Sequence, residues 1–349
     1  MRAGPSAERL RGAVSMGVRV DVHRAGRVLA SDVPATGAKL EWTDDRTVPA
    51  LLTYTAPPEM EPTEPLDPLH HYGQRSVVRV VYRFPDGTSD STLLGKFVHT
   101  SFKTDQSGVT VTARDLFYIP DENPMVWPSS PPAGATLRSE LQRLADTLPV
   151  ALDEGVRDAG VPRTAQWGAS RTEAMLSLAR SHGCGLRVGA DGVLHAYRLR
   201  DAGHPDFLFS RDAGTLIDLV RDRRDLERRP NYWVATATID KDKIVRTSSQ
   251  TAPPFDPAAY GWSTRIKEVS GAKTAADVDA ALAEMRREDL ASLTSASIDV
   301  VPDPRVEAGD VVGVLDDDGV VLAGRVRAYA LPLSDVGAAQ RIDIDLLEW

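Results

Sequence analysis

Short stretches in which apolar and polar residues alternate, separated by turn-forming residues, constrain the fold of this chain more than any other feature. In the first of them, Val18, Val20 and Val22 alternate with Arg19 and Asp21, which is the two-residue period of a half-buried strand. Further strand candidates follow at 38–42, 50–55, 76–84, 91–100 and 109–113. Many short strands at this spacing predict a β-barrel or a β-sandwich.

Proline interrupts this pattern in two places. Residues 57–68 contain five prolines and four acidic residues. Because proline fits neither a helix interior nor a central strand, we expect an exposed acidic loop there. A second group of prolines, between 120 and 132, predicts a domain border.

Helical periodicity follows this border. Leucines at helical spacing predict a helix over 136–148, and Ser170 with Glu173 forms a capping-box pair that opens a second helix. The turn at 189–192 then joins two short strand candidates in a hairpin. This region therefore predicts a small α+β domain.

Alternating strand candidates return in the last third of the chain. They lie at 233–239, 244–247, 264–269, 297–301, 310–315, 320–330 and 342–347. A helix over 274–290, with Asp277 in its first turn, interrupts them and predicts a barrel with a helix packed on its side or end. The predicted fold class is α+β and mainly β. The predicted domains are a first β-barrel at 1–127, a middle α+β domain at 128–229, and a second β-barrel with the inserted helix at 230–349.

Composition limits the function classes. The formal net charge of −9 argues against a general nucleic-acid binder, which normally presents a basic face. Cys184 is the single cysteine, so an intrachain disulfide and a cysteine-rich zinc site are excluded, and we expect a small buried residue. No apolar run is long enough to span a bilayer, and the first residues lack the apolar stretch of a signal peptide.

Motifs of catalysis are absent from the sequence. It contains no Gly-x-Ser-x-Gly and no glycine-rich phosphate loop before a helix. His70 and His71 are neighbours in a loop, a spacing that suits a metal poorly. The turn at 316–318 holds three aspartates; a hairpin turn is favoured there over a cation site, because the spacing of a calcium loop is missing.

Three further histidines stand alone in the sequence. The sequence sets no partner for His182, His195 or His204. We therefore predict no catalytic, cofactor-binding or metal-binding residue and a non-enzymatic protein.

Several stretches, taken in their order along the chain, resemble the phage tail hub family (baseplate hub or late control protein D-like), in its actinobacterial phage or prophage type. The residues that carry the resemblance are Val20-Asp21-Val22, Gly26 to Leu29, Asp44 to Val48, Thr172 to Tyr197 with Cys184 to Val188 and Asp191 to Leu194, Ala275 to Leu290, and Pro304 to Val312. Together these stretches cover most of the chain.

The resemblance implies a structural role. Two tail-tube-like barrels in each chain would let a homotrimer form a pseudo-sixfold ring at the virion tail tip. That ring would join a hexameric tail tube, or a distal tail protein, to a spike, fibre or tape-measure protein. DNA would be present only in transit through the channel, no membrane or cofactor is implied, and the protein would be made in the bacterial cytoplasm.

Two other functions stay open on the sequence. One is a cell-wall or carbohydrate-binding tail-tip module, which would use the aromatic residues Trp127, Trp167, Tyr260 and Trp262 as stacking faces. The other is the hub of a phage-derived contractile injection particle.

Overall fold

The computed structural model describes residues 2–200, 204–222, 230–239, 242–269, 272, 274–291, 295–315, 319, 321–335 and 337–346. The strands are β1 (Ser15–Arg24), β2 (Arg27–Val33), β3 (Thr36–Thr43), β4 (Ala50–Ala56), β5 (Arg75–Arg83), β6 (Ser89–Asp105), β7 (Gly108–Asp115), β8 (Val150–Leu152), β9 (Cys184–Val188), β10 (Leu194–Arg198), β11 (Phe207–Ser210), β12 (Leu216–Asp222), β13 (Tyr232–Ile239), β14 (Asp242–Ser249), β15 (Thr264–Glu268), β16 (Ser295–Val300), β17 (Val311–Leu315), β18 (Val321–Pro332) and β19 (Gln340–Leu346). The α-helices are α1 (Ala7–Arg11), α2 (Tyr118–Asp121), α3 (Leu137–Ala145), α4 (Arg171–Ser181), α5 (Pro257–Tyr260) and α6 (Ala275–Ala291), and a 3₁₀ turn covers Pro58–Met60.

The chain divides into two compact units. The larger unit contains residues 1–220 and 297–349, and the smaller unit contains residues 221–296.

A 13-stranded sheet dominates the larger unit. Its strand order is β12-β16-β19-β18-β3-β4-β7-β6-β5-β1-β2, with β17 paired to β18 and β11 paired to β17. The pairing of β18 with β3 sets Tyr329 opposite Trp42. This one antiparallel ladder joins strands from the beginning and the end of the chain in a single sheet.

Alternating burial explains why these strands form. In β4 every second residue is buried, including Leu52 and Tyr54, and β7 follows the same pattern. Each strand hides one apolar face and leaves polar residues on the other, which is the behaviour that the two-residue period predicts. The strand predictions in the first third are confirmed at each place.

The middle of the chain forms a layer of helices on a three-stranded sheet ordered β8-β10-β9. Thr136 and Ser139 form a reciprocal capping box at the start of α3, and the Ser170 hydroxyl accepts a hydrogen bond from the Glu173 N–H at the start of α4. Both helices pack Leu, Met and Ala side chains against β8–β10, and Cys184 is buried in the same core. The two predicted helices and the predicted hairpin are present at these places.

The smaller unit has a core of its own. Its sheet is ordered β14-β13-β15, and Trp233, Ala235 and Ala237 of β13 pack with Val278 and Met285 of α6. The Trp233 indole N–H donates to Asp289 Oδ2 at 2.7 Å. The helix that we expected on the side of a barrel therefore packs on this three-stranded sheet.

The predicted fold class, α+β and mainly β, is confirmed. The smaller unit, 221–296, lies in the sequence between β11 and β17, and both of these strands belong to the large sheet. The division into a first barrel at 1–127, a middle domain at 128–229 and a second barrel at 230–349 stays a prediction.

Candidate functional site

A charged cleft of about 520 Å³ lies beside the β9–β10 hairpin and is lined by several titratable groups. His195 on β10 sits between two carboxylates. Its Nδ1 donates to Asp153 Oδ1 at 2.7 Å, and its Nε2 lies 3.3 Å from Asp191 Oδ2. Arg187, opposite His195 in the hairpin register, donates to Asp153 Oδ2 at 2.7 Å.

These groups satisfy one another. Arg187 also donates to the Ala308 carbonyl oxygen at 2.9 Å, and its guanidinium lies over the Tyr197 ring. Both nitrogens of His195 already face carboxylate oxygens, and a general base needs a free nitrogen within reach of a substrate proton. These ion pairs and hydrogen bonds therefore link the end of β8 to β9 and β10.

His70 and His71 lie in a stack of rings. The His70 ring centroid is 4.4 Å from that of Tyr72 and 4.6 Å from that of His71, and Phe102 of β6 approaches the ring of His70 edge-on. Ring stacking orients these side chains.

A chain of buried hydrogen bonds holds the backbone at His70. The Tyr54 hydroxyl lies 3.0 Å from Ser76 Oγ, which lies 2.7 Å from His99 Nε2, and His99 Nδ1 donates to the His70 carbonyl oxygen at 3.1 Å. These bonds suit a neutral imidazole. Burial lowers the pKa of His99 to about 4.

The acidic loop at 57–68 is exposed, as predicted, and its own side chains order it. Asp67 Oδ2 accepts the N–H groups of Thr63 and Glu64 at 2.7 and 2.8 Å. Gln74, which is buried, donates to the carbonyl oxygens of Pro65 and Asp67. The loop therefore has a defined conformation despite its prolines.

The described residues offer no candidate site for a cation. Among the described residues, no group of three or more His, Cys, Asp or Glu side chains has the arrangement of a metal site. The aspartates at 316–318 lie outside the described residues. Within the residues that the structure describes, no helix has both the length and the apolar character that crossing a membrane requires.

The four aromatic residues proposed as carbohydrate-stacking faces differ in exposure. Trp127 is 78% exposed and Trp262 is 56% exposed. Trp167 is buried, with its indole N–H donating to Glu140 Oε1 at 2.6 Å, and Tyr260 is half-buried. Trp167 is thus a core residue and presents no face to a sugar.

Val126, Trp127 and Pro128 form an exposed turn that we call the tryptophan tip. The backbone holds it on both sides: the Met125 N–H donates to the Ala169 carbonyl oxygen at 2.7 Å, and Ser129 and Trp167 exchange two backbone hydrogen bonds. Val126 is 83% exposed. A rigid scaffold therefore presents two large apolar side chains to solvent, and periodicity gave no signal for this.

Similarity to known proteins is found in solved structures and not in sequences. No family model matches the sequence, and no curated protein sequence matches it. The tail protein from Neisseria meningitidis MC58 superposes with a TM-score of 0.69 at 14% identity, over 95% of this chain and 97% of that chain. The 43 kDa tail protein of prophage MuSo2 from Shewanella oneidensis superposes with a TM-score of 0.65 at 12% identity, over 93% and 98%.

This chain has the fold of these tail proteins. A chain of the Francisella PdpA-VgrG complex is also similar, with a TM-score of 0.52 at 8% identity, over 96% of this chain and 58% of that chain.

Proposed function

We propose that this chain is a structural, non-enzymatic subunit of a phage or prophage tail, placed at the hub or baseplate. The observation that carries the proposal is a fold shared with a tail protein along nearly the full length of both chains. The internal pairing of Asp153, Arg187 and His195 supports a structural role for the most polar cleft.

The finer proposal is a homotrimer that forms a pseudo-sixfold ring between the tail tube and the spike, fibre or tape-measure protein. Strands at open edges supply the means for lateral contacts. In the described part of the larger unit, β2 ends the sheet and is exposed along most of its length. An open edge strand pairs readily with another chain.

The passage of DNA would also constrain the charge of the channel wall. We propose that the channel wall is acidic, so that phosphate does not adhere. The solvent face of β1 and β5 carries Arg19, Arg75, Arg79 and Arg83, and Asp21 of β1 lies 3.5 Å from Arg19 and 3.7 Å from Arg79. This basic stripe must therefore face away from the channel.

The second candidate is the hub of a phage-derived contractile injection particle, which the similarity to a chain of the PdpA-VgrG complex favours. The two candidates share a hub role and differ in the particle. Purifying the native particle and testing it for packaged DNA separates them: protected DNA indicates a phage, and its absence indicates an injection particle. A chain recovered only in free form, outside any particle, contradicts both.

A further inference from the structure

We propose that the tryptophan tip of one copy inserts into a trough on the outer face of β3, β18 and β19 of a second copy. This contact rests on the proposed role as a ring-forming subunit and names the two surfaces that meet. Both lie in the larger unit, so every copy carries one of each.

The trough is a consequence of strand register. Ala328 lies between Thr43 and Asp343, and Ala330 lies between Glu41 and Arg341, in two adjacent rows across the three strands. Two alanines thus form the floor, and longer side chains on the outer strands form the walls. We call this surface the alanine trough.

Its dimensions suit one indole ring. Walls two strand spacings apart stand about 10 Å from each other, and the cavity measures about 250 Å³. This space is large enough for a single tryptophan and too small for a segment with several large side chains.

The chemistry of the walls is complementary to tryptophan. Arg46, which also lines the cavity, and Arg341 bring two guanidinium groups to the rim, and arginine stacks favourably on an indole face. Glu41 lies 3.2 Å from Arg46. Asp343 lies 3.6 Å from Arg341 and accepts a hydrogen bond from Ser297. A carboxylate can accept more than one hydrogen bond, and the indole N–H is a donor that needs an acceptor when it is buried. The alanine methyl groups would cover the remaining apolar surface of Trp127.

Every copy of the chain carries both surfaces, so we take a second copy as the occupant. The tip and the trough are different patches of one chain, so their contact is heterologous, and a heterologous contact repeated around a rotation axis closes a ring. A tryptophan held by a fixed backbone loses little conformational freedom on binding, which is typical of residues that dominate interface energy.

Disulfide trapping tests the contact. In the full chain carrying Trp127→Cys and Ala330→Cys, we expect mild oxidation to give reducible covalent oligomers, whereas each single-cysteine variant stays largely monomeric on a denaturing gel. The native Cys184 is buried and burial raises the pKa of its thiol, so its background reaction is low.

A mixing experiment gives an independent readout. Trp127→Ala removes the tip, and Ala330→Arg fills the trough. Each variant alone should lose self-association, with a dissociation constant raised about tenfold or more. An equimolar mixture still has one intact tip and one intact trough, so mass photometry should show heterodimers that cannot grow into rings. Trp262→Ala, an exposed tryptophan in the smaller unit, is the matched control and should assemble as the wild type does.

The possible outcomes separate this contact from the proposed function. If the wild type forms rings but the double-cysteine variant cross-links no more than the single-cysteine variants, the tip–trough contact is wrong and the hub role stands. If the wild type is a monomer at every concentration and is missing from particles, both are wrong.

Discussion

His99 is a single buried side chain whose protonation should affect the stability of the whole larger unit. Burial lowers its pKa to about 4 in the folded protein, compared with 6.5 for an exposed histidine. The unfolded chain therefore binds more protons than the folded chain between these values. Stability contributed by neutral His99 is full above pH 6.5 and is lost as the pH falls towards 4.

Urea unfolding of the wild type and of His99→Gln at several pH values measures this effect. We expect the stability advantage of the wild type to shrink by roughly 3 kcal/mol between pH 7 and pH 4. The comparison must be differential, because Asp44 and Asp115 have pKa values raised by burial to about 6 and shift stability in the opposite direction over this range. A pH-independent difference would contradict the assignment.

Asp115 is a second residue on which local structure depends. It is buried at the end of β7 and accepts the N–H groups of Ala50 and Phe117 at 3.0 and 2.9 Å. Replacement by alanine leaves two buried donors without a partner, so we expect Asp115→Ala to cost about 2–4 kcal/mol in unfolding free energy. Asp45→Ala, at an exposed aspartate whose partner Arg327 is 3.6 Å away, is the control and should change stability by less than about 1 kcal/mol. Equal losses in the two variants would contradict this account.

The core around α3 and the core of the smaller unit are separate clusters of buried residues, and truncating a side chain in one of them should destabilise that core selectively. Met285 of α6 is buried in the smaller unit and Leu141 of α3 in the larger one. We expect Met285→Ala and Leu141→Ala each to cost about 2–5 kcal/mol.

Hydrogen exchange followed by mass spectrometry locates these losses. Met285→Ala should accelerate exchange in β13–β15 and leave β4 and β7 protected, and Leu141→Ala should accelerate exchange in α3 and α4 while β13 stays protected. Acceleration throughout the chain in both variants would show that the two units unfold as one.

Strands and helices were predictable because their signals are local. The alternation in β4 reports burial of one face directly, and Ser170 marks the start of α4. The pairing of β3 with β18 brings together residues almost 290 positions apart, and nothing in either strand specifies that partner. The buried stripe of α6 likewise predicts a helix but does not say which sheet it covers.

The polar clusters escaped prediction for the same reason. His195 meets Asp153 only because β8 runs parallel to β10. The sequence indicates Trp127 as a stacking face, but the backbone hydrogen bonds of its neighbours Met125 and Ser129 to Ala169 and Trp167 have no local signal. The sequence did predict a resemblance to phage tail proteins, and the chain has the fold of such proteins.

At the scale of the whole molecule, charge separates into distinct regions despite the net value of −9. The basic stripe on β1 and β5 and the acidic loop at 57–68 lie on the larger unit. In an assembled ring with an acidic channel, cryo-electron microscopy should show Arg19, Arg79 and Arg83 on the outside. A channel lined by these arginines would contradict the proposed route for DNA.

The central proposal is that this chain forms a ring at the end of a tail. Cryo-electron microscopy of the native particle, with native mass spectrometry of the purified chain, tests it most directly. The account predicts three copies of the 37.8 kDa chain around a central channel, between the tail tube and the spike or fibre. A strictly monomeric chain that is absent from the particle would contradict it.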